Sequence, residues 1–407
     1  MKLKNIKSVS KRLQDSLLTK VECTFENWRT NERFHEVFFL DNNGKIVAKF
    51  KNKTPFLVEQ LTSKYNSLFV VRHFDIFHII LVYYDLTDTV INSYEDIEFG
   101  VEDGCFAVKY NGLWGFINEE AIEIIEPQYD NYCAFNNGFA AVCKNGKWGF
   151  INKNNELIIP FEYDIAYYTC FNGGYAPVSK NGRFGFIDVS NRTVIPFVYK
   201  NALMRSKYGK LFPVKVNDKW GFIDIHQNEV IPFEFDNIEC DCDGYSVYHV
   251  MKKFNEHEFW GLVDARLNKQ IVFCKYLSLC PNPNSIQAHK LNGKYVLLNW
   301  EGEEISQEFD YIEEYSSEGL YKYAENDIYG YIDETGKCII NPQYKNLSED
   351  FTGGLTIVVN KDFSKSIINT SGKIIIELKQ DQGVFNIGKR NFLIENIETK
   401  EYELVNI

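Results

Sequence analysis

The sequence predicts an all-β protein: a tandem array of about ten antiparallel β-sheet units of roughly 36 residues each. Three observations carry that prediction. An aromatic-glycine pair recurs at Trp114-Gly115, Trp148-Gly149, Phe184-Gly185, Trp220-Gly221, Trp260-Gly261 and Tyr329-Gly330, with first spacings of 34, 36, 36 and 40. A weaker copy at Tyr295-Val296 fills the long gap, 35 residues after Trp260 and 34 before Tyr329. A proline follows the pair at Pro127, Pro160, Pro196, Pro232 and Pro342. Finally, 15% of the 407 residues are aromatic, a composition rich in strand formers.

Taken in order, the chain divides into four segments. Residues 1–30 open with six Lys/Arg and one Asp in the first twenty, and Ile6, Val9, Leu13 and Leu17 fall on one helical face. This predicts an N-terminal basic helix that caps the array. Residues 31–103 read as degenerate repeats, 104–346 as the main array, and 347–407 as degenerate C-terminal repeats and a cap. An open array needs such capping ends.

The repeat itself is clearest in Lys144–Asp164, KNGKWGFINKNNELIIPFEYD. An apolar strand, Phe139–Cys143, meets a turn at Asn145-Gly146. Asn-Gly suits a two-residue type I′ turn, in which both central residues take positive φ. The dipeptide recurs at Asn111-Gly112, Asn181-Gly182 and Asn292-Gly293. On the next strand Trp148, Phe150 and Asn152 share one face, while Gly149 and Ile151 take the other. With no polar face left for water, sheets are expected to stack on one another. Glycine inside a strand needs a reason, and the expectation is a bare Cα against which the aromatic ring of an adjacent unit lies. A polar turn follows, then Glu156–Ile159, whose hydrogen bonding Pro160 is expected to end. Tyr163-Asp164 opens the extended piece that leads to the next unit.

At these residues the sequence resembles the bacterial WG-repeat family. The shared pattern is N-G-K-W-G-F-I-N/D, a polar turn, V/I-I-P and Y/F-D. It is well kept from about Phe106 to Ile238 and from Gly319 to Asn346. Eroded copies stand at Phe39–Val47, Leu81–Ile97, Ser285–Ile312 and Gly353–Ile376, so the resemblance covers about residues 31 to 407. It implies a β-rich tandem repeat with an interaction role and no catalytic residues, the recurring positions being structural. An open superhelical stack fits about ten copies with degraded ends. A closed propeller is the alternative, since each unit resembles a four-stranded blade, although propellers typically have four to eight blades.

The totals narrow the function. A net charge of −12 argues against general nucleic-acid or anionic-membrane binding. No apolar run reaches 18 residues, so no membrane span is expected, and the N-terminus lacks the apolar core of a secretory signal. Ten cysteines occupy no recurring position, which fits free buried thiols and a reducing cytoplasm. The chain has no G-x-S-x-G, no H-E-x-x-H, no Walker loop and no G-x-G-x-x-G opening a helix. Cys240, Cys242, Asp243, His249 and His257 cluster in the longest spacing, yet C-x-C with distant histidines is not a zinc spacing. No metal or cofactor is expected.

One irregularity has a chemical character. Glu301, Glu303, Glu304, Glu308, Asp310, Glu313, Glu314 and Glu318 fall within 18 residues that contain no Lys or Arg. Such a run steers a basic partner, or else it is a solvated edge that discourages aggregation. The functional expectation is a non-catalytic cytoplasmic scaffold that binds another protein. The alternative is an immunity or defence protein that neutralises a basic enzyme.

Overall fold

The computed structural model describes backbone and side chains for residues 93–407, apart from breaks at 99–102, 167–170, 205, 207–208, 240–245, 348–349, 387–389, 399–402 and 404. Before residue 93 it describes strand paths alone. Among the described residues there is no helix. The described strands fall into eleven small antiparallel sheets, each made of three or four strands consecutive in the chain. None closes into a barrel, and the sheets follow one another as a tandem β-repeat array. Two compact units result, Tyr94–Glu304 and a second formed by Met1–Ser93 with Ile305–Ile407.

One sheet shows how the repeat folds. Its strands are Asn131–Tyr132, Phe139–Lys144, Lys147–Asn152 and Leu157–Tyr163, adjacent in that order. The turn at Asn145-Gly146 has φ of 53° and 73°, the positive pair that a type I′ hairpin requires. Asn111-Gly112 and Asn181-Gly182 match it. Asn292-Gly293 does not: Gly293 alone has positive φ, and the Lys290 N–H donates to the Lys294 carbonyl. That hairpin has three loop residues with glycine in the left-handed position.

The strand Leu157–Tyr163 runs straight through Pro160, contrary to the expectation that proline ends it. It is the edge strand of its sheet, where a missing N–H breaks no ladder. The glycine also has a different cause from the one expected. Trp148 pairs with Tyr163 and Phe150 with Ile159, so Gly149 alone faces a bulge of three residues. A Cβ on Gly149 would lie 2.5 Å from the Ile159 carbonyl oxygen and 3.1 Å from the Phe161 nitrogen. The close approach is therefore to backbone of the same sheet. At Gly221 a ring is involved, but Phe233 belongs to that sheet as well.

Both faces of each central sheet are buried. Trp148, Phe150, Ile159 and Tyr163 pack against Ala166, Phe171, Ala176, Val178 and Ile187 of the following sheet. Ala140, Val142 and Ile151, on the reverse face, pack against Phe116, Ile125 and Tyr129 of the preceding one. Phe186 with Phe212, Phe222 with Tyr248 and Tyr331 with Phe351 repeat the arrangement at later junctions, with ring centroids 4.8–5.0 Å apart. Stacked sheets with apolar residues on both faces match the expectation from period two.

Two differences concern segments. Ile6–Ser10 and Thr19–Asn27 are strands of the first sheet, in place of the expected N-terminal helix. The strict alternation in TKVECTFEN outweighs the helical spacing of four apolar residues. Residues 11–18, with Leu13 and Leu17, lie outside the described residues. The division between units also cuts the predicted 104–346 array at Glu304. There the sheet Ser278–Pro281, Ile286–His289 and Tyr295–Leu298 lacks a fourth strand. An isolated bridge from Leu298 to Glu304 stands in its place. The bridge from Leu298 to Glu304 matches the pairs Ile151–Leu157 and Ile223–Glu229, so Ser306 stands where sister strands pair through Ile159 and Ile231. A small polar residue favours a strand less than a branched aliphatic one.

Candidate interaction surface

The recurrent aromatic-glycine residues lie between sheets. Trp148 and Trp220 are buried, whereas Trp114, Phe184, Trp260 and Tyr329 are half-buried at the margins of the clusters. The fully enclosed ring is two residues further on, at Phe116, Phe150, Phe186, Phe222 and Tyr331. The repeated Phe after glycine was the signal for it. Gly115, Gly185, Gly261 and Gly330 face backbone of the next strand as Gly149 does, and Gly221 faces the Phe233 ring.

The remaining motif residues hold the turns. Asn152 Oδ1 accepts from the Asn154 and Glu156 amides at 3.0 and 2.9 Å, and Asp224 and Asp333 do the same in their sheets. Such side-chain capping explains why the WGFI run always ends in Asn or Asp. Tyr129 and Tyr163 donate to Asn155 and Asn191 of the next sheet, each at 2.6 Å. Asp164 accepts from Lys147 Nζ at 2.6 Å and from the Gly182 N–H at 3.3 Å, so it joins two hairpin turns. The Lys147 hydrogen bond, and then the Gly182 amide, hold its carboxyl below the usual range. Glu162 is lowered likewise by Lys180 and then Asn191.

The carboxylate run is divided between the two compact units. Glu301, Glu303 and Glu304 close the unit Tyr94–Glu304, and the others belong to the second unit. Glu304 accepts from Tyr276 Oη and Lys290 Nζ, each at 3.1 Å, and Glu303 accepts from Asn299 Nδ2 at 3.0 Å. Asp310 caps the Asn326 amide at 2.7 Å, Glu313 accepts from Tyr311 Oη, and Glu318 caps the Gly354 amide at 2.9 Å. Glu301, Glu308 and Glu314 are exposed. Sequence reading treated these groups as one patch, but several are turn caps.

Of the cysteine and histidine cluster, Cys242 and Asp243 lie outside the described residues, as does the Cys240 side chain. The His249 ring sits 6.5 Å from that of Trp260. Among the described residues no three potential metal ligands converge. Cys105, Cys133, Cys143, Cys274, Cys280 and Cys338 are free thiols, and burial pushes Cys274 up to about 11. A cleft of about 520 Å³ opens beside Gly174, Tyr175, Thr193 and Ile225, with the Asp188–Arg192 ion pair in its wall.

Among solved structures, similarity extends to a crystal structure of the eukaryotic initiation factor, at 12% identity, covering 75% of this chain and 97% of that one, with a TM-score of 0.39. Kluyvelomyces marxianus Hsv2 matches at 10% identity, 67% and 97% coverage and a TM-score of 0.33. BamB from Moraxella catarrhalis matches at 12% identity, 68% and 96% coverage and a TM-score of 0.26. No curated protein sequence matches. The family model for the WG containing repeat matches residues 114–148, 148–184, 184–220, 220–246 and 329–362. With four contiguous copies and a fifth further on, each spanning the packing and capping residues described above, residues 114–246 and 329–362 of this chain are WG repeats.

Proposed function

We propose that this chain is a non-catalytic protein-binding scaffold that works in the cytoplasm. The observation that carries the reading is a division of labour within the repeat. Its recurring residues are spent on packing and capping: Phe150 between sheets, Gly149 at the bulge, Tyr163 and Asp164 across the junction. Residues that differ from copy to copy lie on the edge strands and adjoining turns, where Ile122, Val198 and Phe273 are exposed. A surface that varies over a constant frame suits recognition of another protein. Free thiols support a reducing compartment. The test is affinity capture of the tagged chain from its native host, with cross-links mapped by mass spectrometry. Cross-links on edge strands and turns are expected. Failure to recover a protein in stoichiometric yield, or turnover of a small substrate by the pure chain, refutes the reading.

A second reading, inhibition of a basic enzyme, is favoured by the exposed carboxylates Glu301, Glu308 and Glu314. Acidic groups act chiefly on association rate and are screened by salt. Under this reading the captured partner carries a basic surface and loses activity when bound.

A further inference from the structure

The sheet Asn237–Cys240, Val247–Phe254, His257–Asp264 and Lys269–Tyr276 ends on an edge strand unlike those of five sister sheets; Ile374–Glu377 also lacks proline but carries a glutamate. An edge offers unpaired N–H and C=O groups to any extended chain, and proteins blunt it with proline or charge. Glu123–Tyr129, Leu157–Tyr163, Thr193–Tyr199, Glu229–Phe235 and Cys338–Tyr344 each contain a proline. Lys269–Tyr276 contains none.

The register shows what replaces it. Phe150 pairs with Ile159, Phe186 with Ile195 and Phe222 with Ile231, and the next residues are Pro160, Pro196 and Pro232. Here Leu262 pairs with Val272, and the next residue is Phe273. Three sister sheets form without an N–H at this point, so the fourth does not need one. Pairing resumes at Tyr276, which leaves Phe273 without a partner on the neighbouring strand. Its ring is 71% exposed, more than any other large apolar side chain described in this unit. Lys269 and Lys275 flank it, the strand holds no acidic residue, and neither lysine forms an ion pair among the described residues. The neighbouring cations Lys252 and Arg266 are already matched, to Glu234 and Asp264 at 2.8 Å.

We propose that Lys269–Tyr276 is a docking edge that accepts an extended acidic segment of a partner protein as a fifth strand, with an apolar residue of that segment against Phe273. The idea rests on the scaffold reading and names one of its surfaces. Main-chain pairing supplies affinity in strand addition, and alternate side chains supply selectivity. Charge chooses the occupant. Two copies of this edge would oppose lysine to lysine, which disfavours self-pairing. Carboxylates on the incoming strand turn the same lysines into attraction.

The sister sheets supply the decisive variant. Phe273→Pro installs the residue that three of them carry, so the fold is expected to survive while the open N–H is lost. Fluorescein-labelled synthetic peptides EVEFEVE and KVKFKVK are titrated against the full chain and read by anisotropy. The acidic peptide is expected to bind the parent and to bind Phe273→Pro at least tenfold more weakly, with unchanged melting. The double variant Lys269→Glu, Lys275→Glu keeps the N–H and is expected to prefer the basic peptide, which guards against a misfolded proline variant. The proposal is overturned if the acidic peptide fails to bind the parent, or binds Phe273→Pro equally well. Equal binding of the basic peptide to the parent overturns it too, as does a parent dimer that Phe273→Pro abolishes. If the peptides fail while partner cross-links persist, this edge is wrong and the scaffold reading stands. If both fail, both are wrong.

Discussion

Replacing Gly149 by alanine separates two accounts of the glycine that follows the aromatic ring. The added Cβ would meet the Ile159 carbonyl oxygen at 2.5 Å, closer than side chains come to backbone, and the Pro160 carbonyl carbon at a tight 3.1 Å. Both neighbours are backbone, so neither can rotate away. The bulge must open, which pulls Tyr163 off Trp148 and loosens the buried Phe150–Phe171 contact. Overpacking of this kind costs about 1–3 kcal/mol, and fixed backbone places it near the top, at about 3 kcal/mol. For a unit of this size that corresponds to a melting shift of about 6–12 °C. Gly146→Ala is the control: its φ is 73° and no atom lies within 4 Å of its Cβ. It bears only the left-handed backbone penalty of about 1–2 kcal/mol. Because repeat arrays need not unfold in one step, melting is paired with amide exchange of residues 147–163. The ring account predicts that Trp114→Ala, in the preceding unit, makes room and rescues Gly149→Ala; the bulge account predicts no rescue. A Gly149→Ala protein that melts with the parent, or one restored by Trp114→Ala, would falsify the bulge explanation.

Other perturbations test neighbouring links. Phe150→Ala, at a fully enclosed ring, should cost about 3–5 kcal/mol by chemical denaturation. Trp148→Ala should cost less, because its ring keeps some solvent contact, and the reverse order would disprove the ranking by enclosure. Asp164 and Glu162 have folded values below their unfolded ones. Their contribution is therefore complete above the ordinary carboxylate range and is lost as pH falls through the lowered values. Asp164→Asn should remove part of the acid dependence of stability below about pH 4, and an unchanged acid limb would show that the Lys147–Asp164–Gly182 link carries none of it. Lysine at Glu301, Glu308 and Glu314 together should slow association with a captured basic partner at least tenfold, with the difference shrinking as salt rises. Glu304 is left intact because it holds Tyr276 and Lys290. Unchanged rates would assign these carboxylates to solubility.

The repeat, its all-β class and its stacked apolar faces were legible because each rests on a local pattern copied several times. Asn145-Gly146 announces its turn by the positive φ it tolerates, and Phe150 with Ile151 announces burial on both sides of one strand. What escaped was set by register. Whether a glycine faces a neighbouring sheet or its own next strand depends on a bulge in which three residues oppose Gly149 alone, two more than a regular ladder has. No count along one strand reveals that offset. The same limit hid the capping roles in the carboxylate run. Asp310 and Glu318 look like Glu308 and Glu314 in sequence, yet the first two meet amides 16 and 36 residues away. The fourth strand lost after Glu304 reverses the lesson. Where Ser306-Gln307 replaces the Ile-Pro of sister strands, the loss of strand-forming residues is plain in the sequence, and the compact units divide beside it. Lys269–Tyr276 lies between these cases. Its missing proline is plain in the sequence, but it acquires meaning only once the register shows that its sisters fold without the N–H that Phe273 retains.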